Sequence, residues 1–85
     1  MASTIDFYGA DWCGDCRRSK AVFARLGVDY NLFDVEHDEA AAAKAIEVSG
    51  QKHIPVIHFA DGTVLVEPSD TQLTAKLQEL GLVTK

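Results

Sequence analysis

In 85 residues the chain has two prolines, two cysteines, one methionine and one tryptophan. Nowhere do eighteen apolar residues run together without a charge, which excludes the usual pattern of a membrane-spanning helix. The opening stretch MASTIDFYG lacks a basic region followed by an apolar segment of signal-peptide length, so a soluble cytoplasmic protein is expected, with no membrane partner. Positive charge is also scarce, with 8 Lys and Arg against 13 Asp and Glu for a net charge of -5. A surface that tracks nucleic-acid phosphates needs clustered Lys and Arg, so nucleic acid is not an expected partner. Low-complexity tracts and repeats are absent, and a hydrophobic content of 47% suits a packed core. A chain this short buries only about 60 to 65% of its unfolded surface, enough for one domain over residues 1–85. Two cysteines are too few for a disulfide scaffold. In a reducing compartment a close pair points instead to catalytic, redox or metal chemistry.

Ile5 to Tyr8 is rich in β-formers and ends at Gly9, which reads as a strand and its stop. In CGDCRRSKAVFARLG, the residues Ser19, Val22, Phe23 and Leu26 share one helical face, and Gly27 suits the helix end. YNLFDV over 30–35 is a second strand, and DEAAAAKAIEVSG a second helix, with Asp38 and Glu39 at its positive end and Gly50 after it. IPVIHFA and TVLVE flank Asp61-Gly62, a hairpin signal. Ser69 followed three residues later by Gln72 is a capping-box pair opening a last helix with the stripe Leu73, Leu77, Leu80 and a stop at Gly81. The order β-α-β-α-β-β-α predicts an α/β domain. The early crossovers make parallel strands, the final hairpin adds an antiparallel pair, and helices cover both faces.

The chemistry concentrates in ADWCGDC, residues 10–16. Cys13 falls where a loop meets a helix start. As N-cap its sulfur would lie near the free N–H groups of Asp15 and Cys16, at the positive end of the helix dipole, and both effects favour thiolate over thiol. Cys16, one turn on, lies about 5 to 6 Å away, within disulfide reach, and should be the more buried of the two. Cys13 is thus the candidate nucleophile and Cys16 the resolving thiol. Asp15 suits the helix dipole, yet it opposes a thiolate at the same helix end, an effect that Arg17 and Arg18 could offset. Two other readings remain open at this point. The cysteines could be inert core residues, or they could bind zinc together with His53 and His58. Pro55, just before a strand, is an ordinary strand-starter or a special bend.

WCGDCRRSK at the first helix start, DVEHDEAAAA entering the second helix and IPVIHFADGTVLVEPSD leading to the last span nearly the whole chain. Together they resemble the thioredoxin superfamily, in its glutaredoxin-like branch and close to the mycoredoxins. The resemblance implies a thioredoxin fold with a four-stranded mixed sheet, thiol–disulfide oxidoreductase activity and no bound cofactor. It further implies that Pro55 is cis and lies beside the Cys13 sulfur, with the Ile54 backbone pairing with a bound thiol. Trp12 would form one wall of the groove, and Ser69 and Asp70 would lie along it at the last helix start, a place suited to polar or anionic ligand atoms. Asp15 and Arg17 complete the candidate substrate-binding set. Where glutathione-using glutaredoxins commonly carry Pro-Tyr between the cysteines and Gly-Gly before the last helix, this chain has Gly14-Asp15 and Glu67-Pro68.

By this resemblance the substrates are mixed disulfides between proteins and a low-molecular-weight thiol, with mycothiol as co-substrate and a monomer as the working form. A dithiol redoxin of the thioredoxin or ribonucleotide-reductase type, reduced by a flavoprotein reductase, is the alternative. An iron–sulfur carrier sharing a cluster between two chains through Cys13 is a second alternative, of another class.

Overall fold

The computed structural model describes residues 5–82. Its elements are β1 (Asp6–Gly9), α1 (Gly14–Leu26), β2 (Asn31–Asp34), α2 (Glu39–Ser49), β3 (Val56–His58), β4 (Val64–Val66) and α3 (Asp70–Glu79). The sheet order is β2-β1-β3-β4. β1 and β2 run parallel, whereas β3 is antiparallel to both β1 and β4. β2, β3 and β4 are shorter than their β-forming runs, and β1 is shifted by one residue, so that Gly9 is its last paired residue, opposite Asp34, instead of lying beyond the strand.

The alternation of side chains along β1 sorts the core into two layers. Phe7 points to the face covered by α1 and α3, where it packs with Val22, Phe23, Ile57, Leu73 and Leu77. Tyr8 points to the other face, where it meets Val56 and the small residues Ala41 and Ala45 of α2. Alanine at those two positions lets α2 lie close to the sheet. Phe23 meets Phe7 edge-on at 6.0 Å and Tyr30 at 4.6 Å between ring centroids, geometries that add to simple burial. The stripe on α1 is as expected, with Ser19, Val22 and Phe23 buried and Cys16 beside them on the same face.

The helix ends follow local chemistry. Gly27 takes the left-handed conformation at φ 69, and its N–H and that of Val28 bond the carbonyls of Ala24 and Phe23. Asp38 caps α2 by accepting from the N–H groups of Ala40 and Ala41 at 3.0 and 3.2 Å. On α3 the capping box forms in both directions, Gln72 N–H to Ser69 Oγ at 3.1 Å and Ser69 N–H to Gln72 Oε1 at 2.9 Å. Asp61 in the β3–β4 turn reaches Lys76 on α3 at 2.7 Å, and Lys76 also meets Glu79 at 3.0 Å. These contacts tie the hairpin to the helix beneath it. No helix among the described residues is long and apolar enough to cross a membrane.

Candidate functional site

β1 ends and α1 begins at one end of the sheet, and the loop between them carries Cys13. Its backbone is extended (φ -82, ψ 118), and its sulfur accepts the N–H of Cys16 at 3.3 Å, so that the thiol is itself the N-cap of α1. A sulfur placed there receives an otherwise orphaned helix donor and sits in the positive field of the helix end. On its other side the Cys13 thiol is 3.8 Å from the carbonyl oxygen of Ile54. The Ile54–Pro55 bond is cis, and Pro55 is fully buried directly before β3. The region before β3 is thereby brought against the Cys13 sulfur.

The two thiols differ in environment. Cys13 retains 8% of its surface and Cys16 none. Burial pushes the Cys16 thiol up to about 12, and its hydrogen bond with Cys13 acts in the same direction. Both are free thiols.

Trp12 is 65% exposed and borders Cys13 in the chain, so its ring presents a large apolar surface to solvent at the edge of the site. The neighbouring charges are distributed differently from expectation. Arg17 does not face Asp15; its Nε donates to the backbone carbonyl of Asp11 at 2.9 Å, which fixes the loop. Asp15 pairs with Arg18, one turn along α1. The Asp11 carboxylate lies 3.6 Å from Lys20 and remains almost wholly in solvent.

The β4–α3 junction lies beside the cis-proline. Glu67 adopts a left-handed conformation at φ 49, its N–H bonds the Pro55 carbonyl at 2.9 Å, and its carboxylate meets His53 Nδ1 at 3.1 Å. The Ser69 hydroxyl is taken up by the capping box. Asp70 opens onto a cleft of about 330 Å³ lined also by Arg25, Thr71, Thr74, Ala75 and Gln78, and neither cysteine lines it. Cys13, Cys16 and the Ile54–Pro55 segment are therefore assembled together, Trp12, Asp15 and Arg17 adjoin the cysteines along the chain, and Asp70 lines the cleft beside α1 and α3. Among the described residues no group of three or more His, Cys, Asp or Glu side chains gathers as a metal site. His53 turns to Glu67 and His58 is held in β3 opposite Asp6, which leaves the zinc reading without an assembled ligand set.

Three features of this region follow from no motif. One is Gly9, since a glycine within a strand can mark a close approach. The Glu67–His53 and Asp11–Lys20 pairs join residues 14 and 9 positions apart, and no local rule of spacing announces them.

Residues 5–65 match the glutaredoxin family model. Among curated proteins, a glutaredoxin-like protein of Mycobacterium tuberculosis is 33% identical over 81 residues, covering 94% of this chain and 96% of that one. Mycoredoxin 1 of Corynebacterium glutamicum is 32% identical over 79 residues, covering 92% and 98%. Among solved structures, the thioredoxin-like protein BC3987 superposes with a TM-score of 0.71 at 28% identity, covering 89% of this chain and 97% of that one.

Proposed function

The chain belongs to the glutaredoxin family and is a thiol–disulfide oxidoreductase of that kind, and on this premise we propose that it reduces mixed disulfides between proteins and a small thiol of the mycothiol type. Cys13 is the nucleophile. Its sulfur attacks the small-thiol sulfur of the mixed disulfide, the bond between that sulfur and the protein breaks, and the target leaves as its thiolate. A second small thiol then attacks the same sulfur of the Cys13 adduct. This releases the symmetrical small-thiol disulfide, returns Cys13 as thiolate and yields one proton.

The observation that carries this reading is the asymmetry of the cysteine pair. Cys13 has the cap donor, the helix field and a surface opening, whereas Cys16 is sealed and held protonated at neutral pH. Such a pair favours the route that needs only Cys13, with Cys16 as an occasional resolving thiol. The small thiol is inferred from two features. A relative that matches nearly the whole chain bears the name mycoredoxin, and the loop before Cys13 carries the Asp11 carboxylate, almost wholly in solvent although Lys20 is 3.6 Å away. Glutathione is a net anion and a sugar thiol of the mycothiol type is essentially neutral, so the exposed Asp11 disfavours the former. Asp15 adds less, since Arg18 pairs with it.

The test is a comparison of Cys13→Ser and Cys16→Ser on a protein carrying a mycothiol mixed disulfide. The first variant should lose all reduction and the second should keep a substantial part. Equal loss in both would require an obligate dithiol cycle of the kind fed by a flavoprotein reductase.

A further inference from the structure

A Cβ placed on Gly9 would lie 2.7 Å from Phe7 Cε1 and 2.9 Å from the Cys16 sulfur. At Gly14, Gly27, Gly50, Gly62 and Gly81 it would meet nothing within 4 Å. Backbone conformation does not ask for glycine at position 9. Four other glycines have positive φ, but Gly9 is paired with Asp34 in β1 and its carbonyl accepts the Val35 N–H at 3.0 Å. What the missing side chain provides is space, and that space holds the edge of one ring and the sulfur of Cys16.

We propose that Gly9 is a positioning residue for the thiol chemistry: the seat it leaves on β1 holds the Cys16 sulfur back in the dithiol form, and so sets the balance between the dithiol and the Cys13–Cys16 disulfide. A disulfide needs the two sulfurs about 2.05 Å apart, so closure draws them together, and in this proposal it is the Cys16 sulfur that leaves its seat on the strand. The closing step starts from the Cys13–small-thiol adduct, which the substrate supplies as oxidant. Cys16 gives its proton to solvent and its sulfur attacks the Cys13 sulfur. The Cys13–Cys16 bond forms, the bond to the small thiol breaks, and the small thiol leaves with the electron pair and takes up a proton. Filling the seat penalises the dithiol, whose sulfur occupies it, more than the disulfide. The burial that seals Cys16 is consistent with such a seat. This inference rests on the oxidoreductase class alone and is indifferent to which small thiol is used.

The experiment is a redox titration of the full chain and of Gly9→Ala in buffers of reduced and oxidised dithiothreitol, with the dithiol fraction read by alkylation and mass. The variant should shift about tenfold toward the disulfide, or about 30 mV more reducing. No shift, or a shift toward the dithiol, overturns the proposal. Because the new methyl group also presses on Phe7, the pair Phe7→Leu and Phe7→Leu/Gly9→Ala is titrated in parallel, and the same shift is expected there. A thermal-denaturation cycle with Cys16→Ala supplies a second readout. The Tm loss caused by Gly9→Ala should shrink once the sulfur is gone, and an undiminished loss would assign the glycine to Phe7 packing alone.

Discussion

The depth at which Cys16 is held makes a quantitative prediction about pH. Burial pushes its thiol up to about 12, so at pH 7 far less of it is thiolate than the roughly 3% of a free cysteine of pKa 8.5. Forming an adduct at Cys13 removes two of the causes, the thiol hydrogen bond and the neighbouring charge, while burial, the largest, remains. The thiol of the adduct is therefore lowered relative to the reduced pair, while burial still holds it up. Since only the thiolate attacks, closure should accelerate about tenfold per pH unit from pH 6 to pH 9. Ellman's reagent mixed with the reduced protein in a stopped-flow instrument separates the steps. The first chromophore reports attack by Cys13 and the second reports closure by Cys16. The second phase should be absent in Cys16→Ser and should climb with unit slope in the parent chain. A second phase that is level above pH 7 would refute the reasoning, because it would mean that thiolate is freely available at Cys16.

Two stability predictions test the scaffold that holds the site. Ser69→Ala removes the cap at the start of α3 and should cost about 1 kcal/mol, a fall in Tm of about 4 to 8 °C for a domain of this size by calorimetry; an unchanged Tm would show that the capping box contributes nothing net. The Lys76 ammonium and the Thr63 N–H hold Asp61 at about 2. Because the folded value lies below the unfolded one, this stabilisation is full above about pH 4 and is lost as pH falls through 2. Asp61→Asn should remove that part of the acid transition, followed by circular dichroism, and identical acid profiles would contradict the assignment.

Much of this was legible because it is local. The order of elements followed from runs of β-formers alternating with helical stripes, and the cap at Ser69 and Gln72 from a three-residue spacing realised in both directions. The placement of Cys13 at a helix start needed only the strand before it and the stripe after it. What stayed hidden depends on elements meeting in space. Gly9 matters because a sulfur from α1 and a ring from β1 converge on it. Arg17 had a nearby acid to pair with, but the loop carbonyl of Asp11 took it instead, leaving Arg18 for Asp15. Lys76 becomes buried on α3 only because the hairpin turn folds over it and brings Asp61 and the Phe59 ring to it.

We propose that this glutaredoxin-family enzyme serves a neutral small thiol through Cys13. The most direct measurement is the reduction rate of one protein mixed disulfide prepared with mycothiol and with glutathione, for the parent chain and for Asp11→Asn/Asp15→Asn. The parent should favour the mycothiol adduct. Neutralising the two acids should raise the glutathione rate up to about fivefold at low salt, as befits exposed charges, each beside a cation, worth together no more than about 1 kcal/mol. Equal rates with both adducts in the parent chain would contradict the account.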